Sequence, residues 1–156
     1  MSGSFEISFE IADDEWERSA ALRHDAEAEP LFDCFYGHVQ VSANGTRLFL
    51  EPYYMSVADL AVGLGQILVD RHLGTRGRAA FHEGEDNLVI DIVRDGDLVR
   101  VISNFEPERR LAVLLVDFER GVEAFIGEFL GRAAAWVDDP IGWNDLQVLA
   151  AFAETS

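Results

Sequence analysis

The chain has 156 residues, among them 29 Asp or Glu, 12 Arg and no Lys, for a formal net charge of −17. Such a field repels nucleic acid and anionic membrane surfaces and draws in basic partners. Hydrophobic residues make up 49% of the chain, with 11 Phe and 3 Trp, which excludes a disordered acidic tail and is enough for one core in a single domain, 1–156.

Phe5, Ile7, Phe9 and Ile11 alternate with Glu6, Ser8 and Glu10, the period of a half-buried antiparallel strand. Asp13, Asp14 and Glu15 then place acid where a helix N-terminus favours it, and a thin apolar face predicts a weak helix from Trp16 to Ala28, ended by Pro30. Phe35–Ser42 and Thr46–Leu50 flank Asn44-Gly45, the preferred type I′ hairpin dipeptide. Ser56 with Asp59 three residues on resembles a capping box, and Val57, Leu60, Ala61, Leu64, Ile67 and Leu68 keep helical spacing up to Gly74.

Asp95-Gly96 joins Leu88–Arg94 to Leu98–Asn104 in a second hairpin, apolar on both faces and so expected at the centre of a sheet. Arg110–Val116 reads as a further strand. Asp117 is expected to cap the clearest helix, in which Phe118, Val122, Phe125, Ile126, Phe129, Leu130, Ala133 and Val137 line one side. A short terminal helix from Asp145 to Ala153 turns Leu146, Leu149 and Phe152 inward. No internal repeat or linker is evident. These elements predict an α+β fold: a single antiparallel sheet of five to six strands built from hairpins, two long helices packed on one face, and a short C-terminal helix.

The N-terminal residues lack the basic and apolar regions of a signal peptide, no apolar run reaches membrane-spanning length, and the single cysteine, Cys34, permits no internal disulfide. A cytoplasmic protein is the expectation. No Gly-x-Ser-x-Gly elbow, P-loop or dinucleotide fingerprint is present, so no catalytic residue and no cofactor is expected. His82, Glu83, Glu85 and Asp86 gather a histidine with carboxylates; a solvated turn explains them, a divalent cation or an enzymatic role being the alternative. Arg71, His72, Arg76 and Arg78 form the basic cluster, which a helix C-terminus accounts for, an anion site being the alternative.

Ten carboxylates lie between Glu6 and Asp33. Asp13, Asp14, Glu15 and Glu17 surround Trp16, and an aromatic within an acidic patch is the composition of an interface anchor; the alternative is that Trp16 belongs to the core. Asp138, Asp139 and Trp143 form a second such group, preceded by Trp136. A GC-rich genome would also account for the missing lysine, and adaptation to salt for the excess acid, without any partner.

The hairpin at Gly37–Leu50, the helix start Ser56-Val57-Ala58-Asp59-Leu60-Ala61 and the helix start Asp117-Phe118-Glu119-Arg120, with the size and acidity of the chain, resemble the small acidic immunity proteins of bacterial polymorphic-toxin systems. The resemblance covers element order rather than functional motifs. It implies a cytoplasmic, non-enzymatic inhibitor that covers the site of a basic protein partner such as a toxin. Neither nucleic acid nor membrane is expected as a partner, and homodimer formation stays open. The rival readings are a metal-binding or enzymatic domain using His82–Asp86 and a salt-adapted house-keeping domain.

Overall fold

A computed structural model describes residues 4–23, 30–71, 73–74, 76–83, 88–140 and 143–153. The chain runs β1 (Phe5–Glu10), α1 (Asp13–Leu22), a 3-10 turn (Leu31–Asp33), β2 (Tyr36–Ala43), β3 (Thr46–Arg47), β4 (Tyr53–Ser56) and α2 (Val57–Val69). It continues through β5 (Arg76–His82), β6 (Val89–Asp95), β7 (Leu98–Ser103), β8 (Leu111–Leu114), α3 (Leu115–Ala133), a 3-10 helix (Asn144–Leu149) and α4 (Ala150–Ala153).

The α+β class holds, but the single sheet does not. The strands form two antiparallel sheets of four: β1-β2-β3 with β4 also on β2, and β5-β6-β7-β8. The reason lies where strand becomes helix. Ser56 ends β4 and caps α2 in the same step, its Oγ accepting from the Asp59 N–H at 3.2 Å. Leu114 ends β8 and α3 begins at the next residue. Each sheet therefore closes with its own helix, and among the described residues no strand remains to bridge the two.

The same junction is built twice. Ser56 pairs with Tyr36, the first residue of β2, and the Val57 N–H donates to Phe35 O at 2.9 Å. Leu114 pairs with Leu98, the first residue of β7, and the Leu115 N–H donates to Asp97 O at 2.7 Å. Both helices then read Asp-apolar-x-x-Gly-apolar-x-x-apolar-apolar, from Asp59 to Leu68 and from Asp117 to Ile126. This strand-to-helix junction thus occurs twice in the chain, which the sequence expectation did not include. The insertion of α1 and the extra strand β5 obscure it in the linear sequence.

Other boundaries move as well. Helix α1 starts at Asp13 rather than Trp16, and residues 24–29 of the expected helix lie outside the described residues. Helix α3 starts two residues before Asp117, which is a first-turn residue and not the cap. The sequence pattern does not anticipate strands β4 and β5. The Asn44-Gly45 turn is as expected, with φ of 53° and 84°.

One core joins both sheets. Phe5, Ile7 and Phe9 face Phe118, Phe125 and Phe129 of α3, with Phe9 edge-on to Phe125 at 5.7 Å. Gly121 lets α3 approach β1 so closely that a Cβ there would meet the Phe5 carbonyl, whereas Gly131 on the same helix faces open space. Gly121→Ala should therefore lower unfolding stability by about 1–3 kcal/mol through overpacking, and Gly131→Ala should raise it by about 0.5–1 kcal/mol by removing glycine's backbone entropy from a helix interior. Urea unfolding of the two variants measures this contrast.

Candidate protein-binding surface

Helix α1 is tied down on its inner side by three residues. Trp16 is buried and stacks on Phe129 with ring centroids 5.8 Å apart. Ser19 accepts the Phe35 N–H at 2.7 Å. Arg23, wholly buried, gives Nη2 to both Asp145 oxygens at 2.6 and 2.7 Å and lies 4.6 Å above the Trp143 ring. Phe35 joins these parts: its ring meets Trp16, Phe129 and Trp143 at 5.6, 5.9 and 6.2 Å.

The site residues expected from sequence separate by role. Asp13, Asp14 and Glu17 are exposed on α1. Trp16 takes the core position, so its indole is no surface anchor. Glu15 turns toward the first sheet and is satisfied within the chain: Arg18 donates Nε and Nη2 at 2.8 and 2.7 Å, the Ser19 hydroxyl donates at 3.0 Å and the Tyr36 N–H at 2.9 Å. Burial pushes the Glu15 carboxyl up, but those hydrogen bonds and the Arg18 charge together outweigh it and hold it below the usual range.

Asp138, Asp139 and Trp143 come alongside α1, although more than a hundred residues separate them in sequence. Together with Ala20, Trp136 and Val137 they line a cleft of about 300 Å³. Asp138 and Asp139 are exposed at its mouth, Trp136 is 38% exposed, and Trp143 is partly buried beneath Arg23. The carboxylates on α1 have a local explanation, since acid at a helix N-terminus complements the dipole. Asp138 and Asp139 have none: they follow the C-terminal end of α3, where the helix dipole favours a cation. Indole faces, carboxylates and the negative end of the helix dipole therefore all favour positive charge at one place.

A second exposed surface adjoins α1 on its other flank. Glu10, His38 and Tyr54 lie in one row across β1, β2 and β4, and Tyr54 sits 5.0 Å from His38 and 5.4 Å from Tyr36. Tyr54 is 52% exposed. Arg23, Trp136, Tyr36 and Tyr54 are absent from the set expected from sequence. Arg23 had a signal, as one of two bases within the acidic N-terminal run; the exposed face of a strand leaves none.

Of the His82–Asp86 cluster, only His82 and Glu83 are among the described residues. His82 is exposed at the end of β5, whereas Glu83 is buried and accepts from Tyr53 Oη at 3.4 Å; Glu85 and Asp86 lie outside the described residues. No group of three or more His, Cys, Asp or Glu side chains fit to hold a metal occurs among the described residues. Of the basic cluster, His72 lies outside them, and Arg76 and Arg78 belong to β5 rather than to a helix end. No helix among the described residues is long and apolar enough to cross a membrane.

Compared with protein-family models, curated proteins and solved structures, the chain matches none.

The internal bonding of Glu15 sets a pH dependence. Its folded pKa lies below the unfolded value near 4.5, so its contribution to stability is present above pH 4.5 and disappears as pH falls through the folded value. Glu15→Gln should lower the melting temperature at pH 7, and the gap to wild type should be smaller at a pH below 4.5. Thermal melts of both proteins at the two pH values measure it.

Proposed function

We propose that this chain is a non-enzymatic acidic binding protein of the immunity or inhibitor type, which acts in the cytoplasm by covering a basic surface of a protein partner such as a toxin. The observation that carries this reading is the cleft between α1 and the end of α3, where Trp136, Asp138, Asp139 and Trp143 meet. Its chemistry suits an arginine or lysine side chain: an indole face for the cation, carboxylates for its hydrogen bonds, and partial exclusion of water to strengthen both.

The chain already makes this interaction once within itself. Arg23 lies over Trp143 and pairs with Asp145 in the same corner of the molecule. A partner arginine over Trp136 with Asp138 or Asp139 would repeat that arrangement at the surface. Around it, Asp13, Asp14 and Glu17 extend the negative field, whose role is steering rather than tight contact. Tryptophan is also among the residue types most enriched at the energetic anchors of interfaces.

The reading has a direct test. Affinity capture from the source cells, at low and high salt, should retain a basic protein on the wild-type chain at low salt and release it at high salt. Association with that protein should slow at least about 10-fold between about 50 and about 500 mM salt. Trp136→Ala should weaken equilibrium binding about 30-fold by faster dissociation. Reversing Asp13, Asp14 and Glu17 to Arg should act mainly on the association rate. A partner whose binding ignores both salt and Trp136→Ala would remove the cleft from the function.

A further inference from the structure

The second sheet turns one face to the core and leaves the other open. Inward, Phe81, Ile90, Ile92, Val99, Val101 and Leu111 are buried. Outward, the register sets four rows across the strands. Ala80, Asp91 and Ile102 form the first; Arg78, Val93, Arg100 and Ala112 the second; Arg76, Asp95, Leu98 and Leu114 the third; His82 and Val89 the fourth. Val93, Ile102 and Leu98 are only partly covered, and Leu114 is 46% exposed. A shallow depression runs over Arg78, Val93, Asp95 and Arg100.

This face contrasts with the rest of the molecule. In a chain of net charge −17 the register places three arginines on it, Arg76, Arg78 and Arg100, the last two on either side of Val93. Among the described residues, neither Arg78 nor Arg100 makes a hydrogen bond or an ion pair. The apolar side chains explain why β6 and β7 are apolar on both faces in sequence: one set faces the core, and no element among the described residues covers the other.

We propose that this face is where a second copy of the chain docks, sheet to sheet, in a two-fold dimer. The charge pattern is self-complementary. A half-turn about an axis running across the strands, between the Asp91 row and the Val93 row, sets Asp91 of each copy over Val93 of the other. Each Asp91 then enters between the opposing Arg78 and Arg100. Neighbouring strands lie about 4.8 Å apart, so both guanidinium groups reach that carboxylate. The same operation brings Ile102 toward the opposing Arg100 stem. A basic partner fits this face poorly because of its arginines. An acidic partner would lack the apolar match that an identical face supplies.

The footprint is roughly 20 by 20 Å per copy, from four strands of about six residues. That is the size of a weak, reversible assembly, and it lies apart from the α1 cleft. The dimer and the proposed binding function can therefore fail separately.

Sedimentation velocity from about 1 µM to about 1 mM chain tests it. The wild type should pass from monomer to dimer in that range. Asp91→Arg should weaken the dimer at least about 10-fold, as should Arg78→Glu with Arg100→Glu, because each places like charges opposite one another. An equimolar mixture of the two variants should form a heterodimer. The guanidinium introduced in one copy then meets the two carboxylates introduced in the other, while the unaltered Asp91 meets the unaltered Arg78 and Arg100. Recovery on mixing cannot arise from a folding defect. A wild type that stays monomeric throughout, variants that dimerise like wild type, or a mixture that stays monomeric would each overturn the proposal.

Discussion

Phe35 holds this molecule together at one strained residue. Its φ of 57° lies in the left-handed region, which costs a bulky side chain about 1–2 kcal/mol. The strain is maintained because three independent contacts require it. The N–H goes to Ser19 on α1, the carbonyl accepts from Val57 at the start of α2, and the ring fills the space between Trp16, Phe129 and Trp143. One residue thereby connects α1, the first sheet, both long helices and the segment after α3.

That connection brings the acidic groups together. Trp143 is fixed against Phe35 and under Arg23, and Arg23 is fixed by Asp145. Helix α1 is held to the same corner by Trp16 and Ser19. Asp138 and Asp139 have no choice but to lie beside α1. The chain's charge is consequently uneven in effect: carboxylates and indoles meet at one end, whereas the open face of the second sheet carries Arg78 and Arg100 beside apolar side chains. On the proposed readings, a molecule divided in this way meets a basic partner with one surface and its own copy with another, without competition between them.

Much of this was legible in the sequence wherever local chemistry decides the outcome. The Asn44-Gly45 turn, the Ser56 cap, the apolar stripe from Phe118 to Ala133 and the alternation of β1 all follow from residues close in the chain. The division into two sheets was not legible, because it depends on how abruptly β4 and β8 become helices. Leu115 and Val116 read as strand in sequence, yet they open α3, Leu115 packed against the core and Val116 exposed. The two acidic groups were recognisable one at a time. Their meeting depends on Arg23 and Asp145, 122 residues apart, and no pattern in sequence marks that pair. Trp16 was ambiguous for a plain reason: an indole amid carboxylates has the same composition whether the helix turns it inward or outward.

The most direct test of a cation-binding cleft uses the three indoles as reporters. A titration with a short arginine-rich peptide at low salt, followed by NMR, resolves each Trp Nε1–H. Binding in the cleft shifts Trp136 and Trp143 together with the Ala20 amide and leaves Trp16 unmoved, since Trp16 is buried. Shifts confined to other carboxylate-rich surfaces, with both cleft indoles silent, would contradict the assignment and leave the acidity of this chain without a site.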